Sequence, residues 1–267
     1  HHEIYVMNPD GTGQTRLTAT AADSFGPAWS PDSSKIAFHS DRDGNREIYV
    51  VKADGTGQLR LTDDPRLDAA PSWSPDGRKI VFVRAQEGPG KVSERLEIWI
   101  MNSDGTGQAR LTKNTAFEGM PTWSPGGGLI AFETMRDGNF EIYVMRPDGS
   151  MPTRLTRSAE EDRGPSWSPD GRKILFERGR PRDIYVMNAD GTGETRLTAD
   201  PGWDFVPQWS PDGSLIAFVR VIPGPGDSPH GGDEEIFVMN ADGNDVKRLT
   251  NSLGVEYAPL WRPVRRK

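Results

Sequence analysis

Residues 71–84 read Pro-Ser-Trp-Ser-Pro-Asp-Gly-Arg-Lys-Ile-Val-Phe-Val-Arg. The phrase recurs along the chain with small changes, and its tryptophan stands at six places: Trp29, Trp73, Trp123, Trp167, Trp209 and Trp261. Successive tryptophans lie 44, 50, 44, 42 and 52 residues apart. A repeat of about 40–50 residues built from short apolar runs and turn residues is typical of propeller blades.

One repeat reads as four short antiparallel strands. Residues 68–73 form the first strand, and the turn at 74–77 follows because proline and glycine suit its second and fourth positions. Residues 79–84 form the second strand and 97–101 the third, and a fourth strand ends at 110–112. The second and third strands are apolar at successive positions, which predicts that both of their faces are covered by neighbouring blades.

The repeat fills the chain, so we predict a single all-β domain over residues 1–267, a six-bladed propeller of four-stranded antiparallel blades. Five repeats contain the phenylalanine of the second strand, at Phe38, Phe82, Phe132, Phe176 and Phe218. The sixth repeat has only residues 257–261 at one end of the chain and 3–18 at the other. We therefore expect either a closing blade composed of both termini and lacking one strand, which leaves unpaired backbone edges, or a segment cut from a longer protein.

The Trp-Ser-Pro-Asp-Gly, Ile-Ala-Phe and Ile-Tyr-Val-Met-Asn phrases resemble the TolB-like propellers, whose repeats are of WD type. The resemblance extends over essentially the whole chain. It implies that the tryptophan-bearing strand lies innermost and that strands from the two chain ends meet in one blade. It also implies a periplasmic or extracellular location and protein partners of the cell envelope.

Charge and composition restrict the partners. The formal net charge is -7, and no block of basic residues is interleaved with aromatic ones, so we expect no nucleic-acid binding. No apolar run is long enough to cross a bilayer, so we expect no membrane insertion. The absence of cysteine excludes disulfides and thiolate metal ligands. We expect a monomer.

The position five residues before each tryptophan is acidic in five of six repeats: Asp68, Glu118, Asp162, Asp204 and Glu256, with Ser24 in the remaining one. If these carboxylates ring the channel mouth about 7 Å apart, neighbours repel by roughly 2 kcal/mol at an effective dielectric near 20. One interpretation is a metal site, with calcium as the one candidate cofactor. The alternative is pairing with the arginines that follow the second strands: Arg42, Arg84, Arg136, Arg178 and Arg220.

The same face is the predicted ligand-binding surface. The long insertions at 85–96 and 221–234 both fall between second and third strands, on the side where the tryptophan strands begin. We predict that Arg42, Arg84, Arg136 and Trp203 contact a protein partner or a small ligand there.

Catalytic motifs are missing from the sequence, which contains four histidines and no Gly-x-Ser-x-Gly nucleophile elbow. We therefore predict a non-enzymatic binding or scaffold propeller with no catalytic residues. Two alternatives stay open: calcium binding in the central channel with a structural role, and a hydrolase or lyase that uses channel carboxylates.

Overall fold

The computed structural model describes residues 1–86, 95–223, 232–251 and 256–263, which form 22 β-strands. β1 (Tyr5–Val6) and β2 (Thr15–Arg16) pair in a two-stranded sheet. The first blade contains β3 (Ser24–Trp29), β4 (Lys35–Ser40), β5 (Glu47–Lys52) and β6 (Leu59–Arg60). The second contains β7 (Asp68–Trp73), β8 (Lys79–Ala85), β9 (Leu96–Asn102) and β10 (Ala109–Arg110).

The remaining blades repeat this order. The third blade contains β11 (Glu118–Trp123), β12 (Ile130–Thr134), β13 (Glu141–Met145) and β14 (Thr153–Arg154). The fourth contains β15 (Asp162–Trp167), β16 (Lys173–Arg178), β17 (Asp183–Asn188) and β18 (Thr195–Arg196). The fifth contains β19 (Asp204–Trp209), β20 (Leu215–Pro223), β21 (Gly232–Asn240) and β22 (Lys247–Arg248). Within each blade the strands pair in sequence order and antiparallel.

The prediction of four-stranded antiparallel blades is confirmed, but the predicted number of six blades is wrong. Among the described residues the structure has five four-stranded sheets, and the sixth repeat contributes only the pair β1–β2 and residues 256–263, which carry no strand. Among the described residues no second strand lies between these two pieces, so residues 256–263 have no neighbouring strand there to pair with. The insertions are also shorter than predicted, because β8 and β9 include Ala85 and Leu96, and β20 and β21 extend to Pro223 and from Gly232. Residues 87–94 and 224–231 of the insertions lie outside the described residues.

Local chemistry explains the hairpins. In the second blade the Ser74 hydroxyl donates to Asp76 at 2.5 Å and accepts the Lys79 N–H at 2.9 Å. Gly77 adopts φ +70°, a left-handed conformation that glycine takes without steric cost. These contacts fix a turn between the first two strands.

Each tryptophan strand contains a bulge. A residue with positive φ precedes the strand's proline in all six repeats: Gly26, Ala70, Met120, Gly164, Val206 and Ala258. In the five blades the pairing register shifts at this point, between Ala69 and Ser72 in the second blade, for example. The first strands of successive blades contact one another, from β3 to β19, so these bulged strands lie innermost.

The core lies between blades. Ile48, Val50 and Leu61 of the first blade pack against Trp73 and Phe82 of the second. The phenylalanines of all five second strands are fully buried. Burial of one such side chain contributes about 1.5–3 kcal/mol, so stacking of blades stabilises second strands of only five to nine residues.

Candidate binding face

The acidic positions lie where the first strands begin, an edge we call the acidic face. Asp68, Glu118, Asp162 and Asp204 are all fully buried. The structure pairs Asp68 with Arg84, Glu118 with Arg136, Asp162 with Arg178, and Asp204 with Arg220. It thus shows the arginine pairing that the sequence left as an alternative to metal binding.

Strand register decides the quality of each pair. Asp68 lies directly opposite Arg84 across the hairpin, so Arg84 donates from Nε and Nη2 at 2.6 Å each. Glu118 lies opposite Thr134 instead, and Arg136 reaches it from the following turn with one bond of 2.8 Å. In the first blade Arg42 donates to Ser24 at 3.3 Å.

Burial raises the pKa of these carboxyls despite their arginines. The pKa of Asp68 rises to about 6 because loss of hydration outweighs the two hydrogen bonds from Arg84. Burial likewise raises the pKa of Glu118, Asp162 and Asp204. Each pair therefore carries a desolvation cost that its charge attraction only partly offsets.

The arginines are also held by aromatic rings. The Arg42 guanidinium lies 5.3 Å from the ring centre of Phe38 and 4.5 Å from that of Tyr49. Arg84 and Arg136 lie over rings in the same way, and Arg84 is only 3% exposed. Three of the predicted ligand contacts therefore also serve the packing of their own blades.

The fourth predicted contact, Trp203, lies on the acidic face, with the Arg182 guanidinium 5.6 Å from its ring. The metal prediction also included Glu256, whose backbone N–H donates to the carbonyl of Glu234 at 3.0 Å. Within the described ranges, no group of three or more aspartate, glutamate or histidine side chains could hold a metal ion.

Sequence reasoning missed a second set of charges, which we call the polar cluster: Glu133, Glu177, Arg163 and Arg182. Glu133 is 4% exposed and accepts the N–H of Gly164 at 2.9 Å. Glu177 is equally buried and accepts a bond of 2.8 Å from Arg182. In both cases the backbone donor is the N–H of the positive-φ residue in the bulge of the next blade. The bulge therefore directs an N–H toward the carboxylate.

The electrostatics of the polar cluster are unusual. Burial, with a smaller contribution from the neighbouring Glu177 carboxylate, raises the pKa of Glu133 to about 7, while the hydrogen bond from the Gly164 N–H and the charge of Arg163 oppose the rise. The sequence contained a sign of this cluster at the position that follows the phenylalanine of each second strand. Two carboxylates interrupt the apolar runs there, since the five residues are His39, Val83, Glu133, Glu177 and Val219.

The sheets and their radial packing define a β-propeller of four-stranded antiparallel blades. Two overlapping stretches, residues 1–96 and 91–181, match the family described as TolB beta propeller domain. Together they span more than half of the chain, which therefore belongs to this family. No match was found among curated proteins.

Solved structures agree on the fold. A structure assigned to TolB from Agrobacterium tumefaciens is 26% identical, with a TM-score of 0.81, over 98% of this chain and 94% of that one. TolB from Acinetobacter baumannii is 23% identical with a TM-score of 0.83, and the match covers 97% of this chain but only 62% of that one. An oligogalacturonate lyase from Vibrio parahaemolyticus is 15% identical with a TM-score of 0.56, over 92% and 83%.

Among the described residues, no helix has the length and apolar character needed to cross a membrane.

Proposed function

We propose that this propeller is a non-enzymatic binding module that engages a protein partner at the acidic face. The observation that carries the proposal is the composition of that face. Tyr257, Met120 and Met135 are 49%, 41% and 40% exposed. Each lies within two residues of one of the acidic positions or of an arginine that pairs with one of them. Exposed aromatic and methionine side chains beside arginines are typical of the centres of protein interfaces.

The polar cluster supports the same proposal. Arg182 lies between Glu177 and the Trp203 ring, and Arg163 lies 3.4 Å from the ring centre of Phe140. Guanidinium groups held by packing lose little freedom on binding, so they suit a preorganised recognition surface. In this proposal Trp203 provides apolar contact, and the half-buried Arg42 and Arg136 provide hydrogen-bond donors, while Arg84 positions Asp68.

The TolB likeness favours a partner protein and an extracytoplasmic location, which we include in the proposal. We also propose that the protein acts as a monomer. The sequence identity to the lyase is too low for more than the fold to be inferred from it, so this similarity does not support an enzymatic role.

Site-specific photo-crosslinking tests the proposal. A photoreactive residue is placed at Met120 or Tyr257 on the acidic face, and at Leu59 or Val246, which are exposed near the opposite end of their blades. We expect cross-linked adducts with one envelope protein from the first two positions only. That protein, once purified, should bind the Arg182→Glu variant at least about tenfold more weakly. Equal adducts from both ends of the blades would contradict the proposal.

A further inference from the structure

The first blade contains a contact of three side chains that we call the triad. The Tyr49 hydroxyl donates to Oδ2 of Asp43, and Nη1 of Arg60 lies 3.8 Å from the same oxygen. Tyr49 and Arg60 lie opposite each other on the third and fourth strands, and Asp43 belongs to the turn that precedes the third strand. One carboxylate therefore serves a phenol and a guanidinium that strand pairing brings together.

The third blade repeats the triad. The Tyr143 hydroxyl donates to Oδ2 of Asp137, and Nη1 of Arg154 lies 3.3 Å from that oxygen. Tyr143 again lies opposite the arginine across the third and fourth strands. The turn has six residues in both blades, 41–46 and 135–140, and the aspartate is the third of them. The triad thus depends on this turn and on the aspartate within it.

The fourth blade has the tyrosine and the arginine but no aspartate in its turn. Tyr185 lies opposite Arg196 in the same register. The turn is shorter, four residues at 179–182 that read Gly-Arg-Pro-Arg. Arg196 uses Nε for the Thr198 carbonyl at 2.7 Å and Nη2 for Asp183 at 2.6 Å. Within the described ranges, no acceptor is hydrogen-bonded to the Tyr185 hydroxyl or to Nη1 of Arg196.

A pocket adjoins these two unpartnered donors. Its volume is about 220 Å³, and it is lined chiefly by Glu160, Arg178, Arg180, Asp183, Tyr185 and Arg196. The Arg178 guanidinium lies 4.9 Å from the centre of the Tyr185 ring and pairs with Asp162 and Glu194. Three guanidinium groups and a phenol hydroxyl thus border one cavity, which indicates an anion as its ligand.

Two carboxylates also border the pocket, and they restrict the charge of a ligand. Asp183 is paired with Arg196, but such a pair does not exclude a second carboxylate. In the first blade Arg60 pairs with Glu47 at 3.2 Å and also faces Asp43. The other acid, Glu160, is exposed. A ligand with two negative charges would be repelled by both acids, whereas a single carboxylate has only the charge of the aspartate that it replaces.

We propose that this pocket binds a carboxylate that the chain itself does not supply. One oxygen of the carboxylate accepts the hydrogen bond of the Tyr185 hydroxyl and lies beside Nη1 of Arg196, as Asp43 does in the first blade. A planar, singly charged carboxylate fits this arrangement, because phenol and guanidinium groups already hold one in two other blades. A small organic acid and the end of a peptide chain both offer this group.

Acetate is the probe, since it has the functional group of an aspartate side chain. NMR of the nitrogen-labelled, full 267-residue chain follows the titration at neutral pH and constant ionic strength. Signals of Gly179 and of the Arg196 side chain should shift saturably, with a Kd on the order of millimolar for so small a ligand. Sulfate, which has two charges, should bind more weakly. No saturable shift at these residues, or tighter binding of sulfate, would overturn the proposal.

A blocked tripeptide separates the two sources of the carboxylate. N-acetyl-trialanine with a free C-terminal carboxyl is compared with acetate and with the same tripeptide as its C-terminal amide. Tighter binding of the free tripeptide than of acetate identifies a chain end as the ligand, and weaker binding identifies a small acid. Binding of the amide would contradict the proposal, because the amide has no charge to pair with Arg196.

Variants of the chain locate the site. Tyr185→Phe removes one hydrogen bond to a charged group and should weaken acetate binding at least about tenfold. Tyr143→Phe is the matched control, because this hydroxyl already donates to Asp137, and it should leave acetate binding unchanged. Asp137→Ala opens a complete triad and should create a second acetate site, detected at Arg154. Equal weakening by the two tyrosine variants would overturn the proposal.

The exposed Glu160 is the one lining acid without an arginine partner in the described part of the chain, so it could turn into the pocket itself. Glu160→Gln removes its repulsion and should tighten acetate binding. Binding of acetate to Glu160→Gln but not to the parent chain would show that Glu160 occupies the pocket, and the proposal of an external carboxylate would then be wrong.

Discussion

The second and third blades share a frame and differ in their polar interiors. Both have four strands, a bulged first strand and a buried phenylalanine, Phe82 or Phe132. In the second blade the residue after the phenylalanine is Val83, whereas in the third it is the buried Glu133. The repeat therefore specifies backbone and apolar packing, while single positions within it determine where charge is buried on the acidic face.

The ion pairs differ for a geometric reason. β8 extends to Ala85, so Arg84 stands within the strand opposite Asp68. β12 ends at Thr134, so Arg136 lies in a turn and its side chain is 22% exposed, against 4% for Arg84. One strand length thus decides whether the pair is doubly hydrogen-bonded and buried, or singly bonded and partly hydrated.

The largest expected effect follows from breaking these pairs. Arg84→Met leaves the buried Asp68 carboxylate without its cation, which typically costs about 3–5 kcal/mol. Arg136→Met should cost less, roughly 1.5–3 kcal/mol, because one hydrogen bond to a charged group is lost and water can reach Glu118. The free energy of unfolding in urea at neutral pH measures both.

The double variant Asp68→Leu/Arg84→Met is the control, since apolar replacement of a buried pair is often neutral. It should recover most of the stability lost in Arg84→Met. Equal losses in Arg84→Met and Arg136→Met would show that register does not set the strength of the pair.

Local sequence predicted the strands well. Residues 68–73 and 79–84 were predicted as strands and are β7 and, with one more residue, β8. These predictions depend on a turn of serine, proline, aspartate and glycine and on adjacent apolar runs, all of which act within about ten residues.

Other features depend on contacts between repeats, and sequence could not provide them. The approach of Glu177 to Glu133 arises only when the third and fourth blades stack. The number of blades depends on how the two pieces of the sixth repeat meet, and among the described residues this repeat forms only the pair β1–β2. Whether the acidic side chains pair with arginines or bind a metal ion could be decided only from the register of the first and second strands. The bulge at Ala70 or Met120 sets which residue of the second strand lies opposite each acid.

A smaller effect on the free energy of unfolding is expected from the titration of Glu133, the carboxylate of the third blade that the second blade lacks. The folded pKa of Glu133 is about 7, above the value near 4.5 of a free glutamate, so the folded state favours the protonated form. Its contribution to stability is therefore complete below about pH 4.5 and is lost as pH rises through 7. Glu133→Gln removes this dependence while keeping an acceptor for the Gly164 N–H.

The difference in unfolding free energy between Glu133→Gln and the parent chain should grow in favour of the variant from pH 5 to pH 8, by at most roughly 3 kcal/mol. Glu160→Gln, at an exposed glutamate near the start of the fourth blade, should show no such trend. A constant difference for Glu133→Gln across this range would mean that Glu133 stays ionised in the folded protein.

The smallest expected effect is that of calcium on the thermal stability. Calcium bound at the acidic positions would have given the blades the same kind of site. Each of the four fully buried carboxylates already accepts hydrogen bonds from an arginine, and these four pairs lie in separate blades. A cation would have to displace those arginines. We therefore expect the same Tm in millimolar calcium, in magnesium and after chelation.

A ligand present at 100 times its Kd stabilises the folded state by about 2.7 kcal/mol, so calcium binding of even modest affinity would raise Tm measurably. A rise in calcium that magnesium does not reproduce, and that Asp162→Asn abolishes, would show that the acidic positions can exchange their arginines for a metal ion.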